Sequence, residues 1–436
     1  MKEGKKLFLL SFSFKGIKNI REEVPIRFYK NNITKDFSSD KYRIKGIYGE
    51  NGVGKSAIMT AMKIYKDLML NRWFLRNEEN EKKLSYLVNK VDESASFETE
   101  YLVKEKETIN IYKFHLQIRK NNFTQLYEIV EESCAHRSPS SKYKPIYENN
   151  NGILNIKVNK RFNKYASDIS RNLLKESSFL SMIFNYEHNA DYKEELKVFD
   201  CPIMCHFYTY VYLDDKDLHD NYVHSEIINE RRNRNENINL LNLTNSIDYL
   251  TCAHSVLVRK DYYDDYAKEV MGMQKFVQVF KPDLKSISIY RKENRDFYDC
   301  ELIFEYEDYQ INGEFESTGI KKLVELYTAF KRADEGQIVF IDELDANIHD
   351  YYLCKLLEYV AEYADGQLCF TTHNLGPMRV LDKYKKSIDF LSRDGDLVPW
   401  VKNGNYQVDS LYLKGLINKS PFNMESFQFL EVFGDK

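Results

Sequence analysis

Residues 49–56 read GENGVGKS and carry the clearest chemistry of the sequence. Three glycines, Gly49, Gly52 and Gly54, allow a tight turn whose backbone N–H groups point at phosphate oxygens. Lys55 is then placed to reach the β- and γ-phosphates of a nucleotide, and Ser56 to ligate magnesium. The residues predicted to bind nucleotide are therefore Gly49, Glu50, Asn51, Gly52, Val53, Gly54, Lys55, Ser56 and Ala57.

Magnesium at such a loop needs further oxygen ligands, so we expect a second acidic group at the end of a buried strand. The run QIVFIDE (337–343) fits, because its middle is continuously apolar, as in a central parallel strand. Asp342 is predicted to help to bind Mg²⁺. Glu343 is predicted to orient and deprotonate the water that attacks the γ-phosphate in line.

Another short apolar strand lies in QLCFTTHN (367–374), which contains His373. The segment before it has apolar residues at helical spacing, namely Ile348, Tyr352, Leu356 and Val360. Strand, helix and strand are therefore predicted to form a crossover unit with neighbouring parallel strands. His373 is then expected beside Asp342 and Glu343, where it can hydrogen-bond the γ-phosphate.

A third group of small polar residues, Ser317, Thr318 and Gly319, precedes a helical pattern in FESTGIKKLVELYTAF (315–330). A hydroxyl residue and a glycine at a helix N-terminus make an anion site. One phosphate-binding loop takes one nucleotide, so this second anion site is expected to complete the nucleotide site of another subunit. The sequence thus predicts a homodimer or a higher homo-oligomer formed through the ATP sites.

Taken in order, GENGVGKS, ESTGIKKL, FIDELDANIH and FTTHN resemble the motifs of the ABC-type ATPases. Within these they resemble the soluble group of structural-maintenance-of-chromosomes (SMC), RecF and OLD-like proteins. They look closest to the prokaryotic AAA-type ATPases of abortive-infection and anti-phage systems. The resemblance covers residues 1–70 and 285–436, although ESTGIKKL departs from the full LSGGQ form.

The resemblance also implies the roles of individual residues and the cofactors, which are ATP and Mg²⁺. Ser317 and Gly319 correspond to the signature residues, and 345–349 to the loop that crosses the dimer interface, with Asp345 at the nucleotide. His373 corresponds to the switch histidine. Lys55, Glu343 and His373 are thus the expected catalytic residues.

The expected fold class is α/β: a P-loop ABC-type ATPase head, with a mixed sheet and flanking helices, carrying a large, mainly helical insertion. The predicted ATPase core is split between 1–70 and 285–436. Alternating polar and apolar residues predict an antiparallel β part of the head over 71–135. Helical patterns predict that 136–284 is the helical insertion.

Composition limits the remaining possibilities. A net charge of −4 over 436 residues gives no global basic excess of the kind that marks nucleic-acid binders. The run INERRNRNEN (228–237) is basic on balance, so contact with nucleic acid stays possible there. The chain has no apolar stretch long enough to span a bilayer, its cysteines are scattered, and its amino terminus has no cleavage site. We therefore expect a cytoplasmic protein.

Two functions from different classes fit these features. The first is the ATPase or sensor subunit of an anti-phage defence system that controls a separate effector, most simply a nuclease. The second is a DNA-repair or recombination clamp whose nucleotide state gates DNA binding. A scaffold that binds ATP and barely hydrolyses it is a third.

The DGD of 394–396 lies between two short apolar runs and is predicted to be a hairpin turn.

Overall fold

The computed structural model describes residues 5–29, 32–34, 37–157, 160–170, 173–185, 192–213, 252–384, 386–402 and 407–417. Across these ranges, no helix is both long enough and apolar enough to cross a membrane. The basic run 228–237 lies outside the described residues.

A six-stranded sheet forms the centre of the predicted ATPase core. In spatial order it consists of β17 (Leu397–Pro399), β16 (Ile388–Leu391), β3 (Ile44–Tyr48), β15 (Gln367–Thr371), β14 (Ile338–Ile341) and β9 (Thr209–Tyr212). All neighbours are parallel except β16 and β17, which form an antiparallel hairpin. The five parallel strands are buried along their whole length, which explains their nearly unbroken apolar sequences. These five strands contain two charged residues, Lys45 and Asp389. The two form a buried salt bridge, with 2.7 Å between the Lys45 ammonium and the Asp389 carboxylate.

A second sheet has seven strands, all antiparallel. Its order is β2 (Val24–Arg27), β1 (Lys5–Lys15), β4 (Ser94–Glu105), β5 (Thr108–Lys120), β6 (Tyr127–Arg137), β7 (Lys144–Asn150) and β8 (Ile153–Ile156). In β4 to β6, buried residues alternate with partly exposed ones, because one face of the sheet packs on the core. The antiparallel region predicted from alternation is therefore present.

Helix α1 (Lys55–Leu70) lies between these two sheets and is buried on nearly every side. Tyr65 stacks on Phe12 of β1 and contacts Phe97 of β4, while other parts of α1 pack against β9 and β14. Further helices cover this half of the molecule: α2 (Glu78–Leu87), α3 (Lys160–Ile169), α4 (Phe179–Asn185), α5 (Lys193–Leu196) and α6 (Asp200–Phe207). Ile58, Met62, Tyr65 and Met69, which recur at helical spacing in α1, are all buried.

A smaller antiparallel sheet packs with two long helices on the other side of β14. Its strands are β10 (Val256–Arg259), β12 (Phe297–Glu305) and β11 (Ser286–Asn294), with β13 (Gln310–Asn312) paired to β12. The helices are α7 (Tyr263–Phe280) and α8 (Thr318–Asp334). Together with α9 (Asp350–Tyr363), α10 (Gly376–Leu381) and α11 (Val408–Leu413) they enclose a second hydrophobic core.

The crossover unit predicted from β14 to β15 is confirmed, because the two strands are parallel neighbours joined through α9. The buried face of α9 differs from the prediction in part. Leu353, Leu357 and Val360 face the core, whereas Tyr352 stays 36% exposed. The apolar spacing fits two adjacent helical faces, and only packing against β3 and α8 selects one of them.

The predicted domain boundaries also differ from the structure. Strand β9 falls within the predicted insertion 136–284, yet it belongs to the central sheet, where it pairs with β14. Strands β7 and β8 also fall within it and continue the antiparallel sheet to residue 156. A strand as short as TYVY carries no signal of its partner, because the residues with which it pairs lie far along the chain.

Candidate functional site

The phosphate-binding loop connects the end of β3 to the first turn of α1. Gly52 and Gly54 have φ values of 81° and 112°, which residues with a Cβ rarely adopt. Gly49 is required for space, because an added Cβ would lie 2.7 Å from the carbonyl oxygen of Leu391. These three glycines therefore fix the loop with its backbone N–H groups before the N-terminus of α1, an arrangement suited to phosphate.

Lys55 is the first residue of α1, and its side chain is almost completely buried. Its ammonium group donates hydrogen bonds to the carbonyl oxygens of Gly49 at 2.9 Å and Glu50 at 2.7 Å. Burial lowers the pKa of Lys55 to about 8, although nearby carboxylates, first among them Asp342 and Glu343, oppose the shift. The charged form of Lys55 is therefore poorly solvated, and phosphate oxygens bound in the cleft would stabilise it.

We expect ATP affinity to fall as the pH rises above about 8, because Lys55 of the free protein then loses its proton. Phosphate raises the pKa of Lys55 in the complex, so binding takes up a proton at alkaline pH. The dissociation constant measured by calorimetry should rise by up to about tenfold for each pH unit above that point. Lys18→Met, the control at the other lysine of the cleft, should keep this pH profile. A constant affinity up to about pH 9.5 would contradict the assignment.

The acidic residues stand at the end of β14, as predicted. Asp342 is buried, and its carboxylate accepts a hydrogen bond from the hydroxyl of Thr371 at the end of β15. The same hydroxyl accepts from the backbone N–H of Glu343 at 2.9 Å. Glu343 has a positive φ of 47° and an exposed side chain. Thr371 therefore fixes the turn that projects Glu343 into the cleft, a role that the sequence analysis missed.

A cleft of about 590 Å³ brings the predicted residues together. It is lined by Lys18, Asn19, Asn51, Gly52, Gly54, Lys55, Ser56, Ala57, Glu343, Asp345, Ala346 and His373. Burial and the Lys55 ammonium lower the pKa of His373, so its imidazole is neutral near pH 7. A neutral imidazole can donate one hydrogen bond and accept another, which suits contact with a terminal phosphate.

Two lining residues, Lys18 and Asn19, were not predicted as site residues. Both lie in the loop between β1 and β2, and Lys18 has a positive φ of 51°. The amide of Asn19 donates to the carbonyl oxygens of Gly52 at 3.4 Å and Val53 at 3.3 Å, and so supports the phosphate-binding loop. Their sequence context, KGIKNIREE, gives no signal that separates them from other polar residues of a loop.

Ser317, Thr318 and Gly319 do not line this cleft. Ser317 caps α8, its hydroxyl accepting from the N–H of Ile320 at 3.3 Å, and both Ser317 and Thr318 are exposed. Gly319 faces the loop after β14, since an added Cβ would lie 3.1 Å from the carbonyl oxygen of Asn347. These residues thus form an exposed helix N-terminus beside the 345–349 loop, and their role as a second anion site stays a prediction.

Two predicted nucleotide-binding residues have other contacts in the structure. The carboxylate of Glu50 pairs with Arg393 in the β16–β17 turn, and the side chain of Val53 packs in the core. In the described part of the chain, no group of three His, Cys, Asp or Glu residues could hold a metal unaided. Ser56 and Asp342 are oxygen donors that suit Mg²⁺, whose other ligands would be phosphate oxygens and water. Their role as magnesium ligands stays a prediction.

Comparison with known proteins adds two kinds of similarity. Residues 208–377 match the family model described as "AAA domain, putative AbiEii toxin, Type IV TA system". No curated protein matches the chain. One similar solved structure is that of the recombination mediator protein RecF-ATPrS in the RecFOR pathway, at 12% identity and a TM-score of 0.39, covering 91% of this chain and 99% of that chain. Another is the Smc head domain with a coiled coil and joint derived from Pyrococcus yayanosii, at 12% identity and a TM-score of 0.41, covering 91% of this chain and 97% of that chain.

The matched segment begins one residue before β9 and ends after His373. It therefore includes the start of α8, the acidic end of β14 and the histidine, and it assigns β9 to the same domain as β14. The phosphate-binding loop lies outside the segment but meets it in the cleft. Residues 208–377 are thus similar to an AAA domain of this family, and the phosphate-binding loop at 49–56 lies beside them in the same cleft.

Proposed function

We propose that the chain hydrolyses ATP with Mg²⁺, dimerises around two ATP molecules and signals through its closed and open states. One observation carries this proposal: Lys55, Glu343 and His373, from three distant segments, line a single cleft. Lys55 binds the β- and γ-phosphates, Glu343 orients and deprotonates the attacking water, and His373 contacts the γ-phosphate.

Dimerisation is supported by the position of the second anion site. The N-terminus of α8 has Ser317 and Thr318 exposed, and neither residue lines the cleft of its own chain. Its N–H groups and the helix dipole favour a negatively charged partner. A second copy in a two-fold arrangement brings this helix end to the γ-phosphate bound by the first copy, and the reciprocal contact forms at the same time.

The role we propose for this ATPase is in a prokaryotic anti-phage defence system, where it controls a separate effector nuclease. Two observations support this purpose. The family description of 208–377 names a putative toxin of a toxin–antitoxin system. The DGD turn is an ordinary hairpin, in which Gly395 has a φ of 84° and the backbone of Ser392 pairs with that of Asp396. Among the described residues, the nucleotide cleft is then the proposed site of chemistry, and a separate partner would receive its state.

The purified chain is expected to hydrolyse ATP and to leave DNA and RNA uncut. Co-expression with the protein encoded beside it should give a stable complex, or toxicity that Lys55→Ala and Glu343→Gln abolish. Gel assays of nucleic acid and co-purification measure these outcomes. Glu307→Gln, at an exposed turn between β12 and β13, is the control that should preserve them.

Two results would redirect the proposal. Metal-dependent cleavage by the lone chain, lost in Asp394→Ala, would place the effector in the hairpin segment. Tight ATP-dependent binding of DNA by the lone chain, with no partner required, would favour the alternative of a DNA-repair or recombination clamp.

A further inference from the structure

Tyr48 is the last residue of β3 and immediately precedes the phosphate-binding loop. Its ring is 1% exposed and lies 6.2 Å from the ring of Phe390 in β16, which in turn stacks on Tyr412 of α11 at 5.0 Å. The Tyr48 hydroxyl is buried as well, yet it has no hydrogen-bond partner among the described residues. Buried polar groups without partners are rare in folded proteins, so this hydroxyl needs a physical explanation.

A second polar atom of the same kind lies nearby. Oδ1 of Asp345, in the loop that follows Glu343, is buried and has no hydrogen-bond partner within the described ranges. Burial raises the pKa of Tyr48, and the Asp345 carboxylate is close enough to raise it further. A phenol donates one hydrogen bond and an ionised carboxylate only accepts, so the two groups are chemically complementary.

The loop that carries Asp345 lies outside the strands of the central sheet, between β14 and α9. Asn347 is exposed and has a positive φ of 63°, and the loop backbone is closed by short turns such as Ile348 N–H to Asp345 C=O at 3.2 Å. Tyr48, by contrast, is held within β3 and packs against the ring of Phe390 in β16. Any movement that pairs the two groups is therefore a movement of the loop toward β3.

We propose that the Tyr48 hydroxyl donates a hydrogen bond to the Asp345 carboxylate when the ATP-bound dimer closes, so that Tyr48 positions the loop after Glu343. The inference rests on the proposed ATPase function. It adds a hydrogen bond within one chain, between the end of β3 and the loop after β14. Glu343 lies two residues before Asp345, and Tyr48 lies one residue before the phosphate-binding loop. The bond therefore ties the position of the general base to the loop that holds the phosphates.

Tyr48→Phe removes the hydroxyl and keeps the ring. Because this hydroxyl is unpaired without nucleotide, the melting temperature of the free protein should stay the same or rise. The dissociation constant for ATP should also stay the same, whereas kcat should fall by about tenfold through loss of a hydrogen bond to a charged group. Tyr101→Phe is the matched control, since it removes a buried hydroxyl 3.4 Å from Thr209 and should leave kcat unchanged.

Asp345→Ala and the double variant complete a double-mutant cycle. If the two side chains act through one bond, Tyr48→Phe should have almost no further effect on kcat in the Asp345→Ala background. Independent, multiplying effects would overturn the proposal, as would parental turnover by Tyr48→Phe. A melting temperature lowered more than in Tyr101→Phe would also overturn it, because the hydroxyl would then be bonded without nucleotide. A parent protein that does not hydrolyse ATP would instead refute the ATPase function itself.

Discussion

Glu343→Gln is expected to bind ATP with parental affinity and to lose at least about a hundredfold in turnover. The amide keeps the size of the side chain, and the N–H of Glu343 still bonds to Thr371, so the turn after β14 is preserved. The amide cannot accept the proton of the attacking water, however. Steady-state phosphate release and a separate nucleotide-binding titration measure the two quantities.

Lys55→Ala provides the contrast, because it removes the ammonium group beneath the phosphates and should abolish binding itself. Glu307→Gln, an exposed glutamate paired with Lys285 at 3.7 Å, controls for the change of charge and should keep parental turnover. Hydrolysis by Glu343→Gln at the parental rate would show that another group is the base.

Ser317→Arg is expected to leave ATP binding by the monomer intact while blocking ATP-dependent dimerisation and hydrolysis. The arginine fills the exposed helix end that the partner's phosphate must reach, and Ser317 lies outside the cleft of its own chain. Light scattering with and without ATP measures the assembly. Asn122→Arg, on an exposed turn before β6, controls for an added surface arginine.

Mixing Ser317→Arg with Lys55→Ala gives a sharper test. Each mixed dimer has one site with both faults and one intact site, so partial turnover should return although neither variant is active alone. Ser317→Ala measures the cap of α8, whose loss should cost about 1 kcal/mol of stability. If mixed dimers form without recovering turnover, Ser317 acts only as a helix cap in its own chain.

Local chemistry explains why much of the site could be predicted from the sequence. The glycines at 52 and 54 are needed for a positive φ, Lys55 begins a helix, and a fully apolar strand ends in Asp342 and Glu343. Each of these patterns encodes the backbone conformation of its own few residues. The parallel pairing of β14 with β15 then followed from the helix between them, which placed His373 at the correct edge of the sheet.

The residues that were missed act across long separations. Thr371 is a common residue in an apolar strand, and it matters only because β15 lies beside β14 and sets its hydroxyl against Asp342. Lys18 and Asn19 reach the cleft because β1 belongs to the other sheet and its following loop folds over the phosphate-binding loop. No local pattern distinguishes these residues from other polar residues at strand ends.

By itself, the sequence determined the phosphate-binding loop, the acidic strand end and the α/β class, because glycine φ angles, helix starts and apolar runs are properties of neighbouring residues. Only the tertiary structure decided that β9 joins the central sheet, that α9 turns Leu353 and Leu357 to the core, and that Tyr48 and Asp345 are buried near each other. These features depend on which distant segments pack together. That choice reflects the free energy of the whole core rather than the preference of any short stretch.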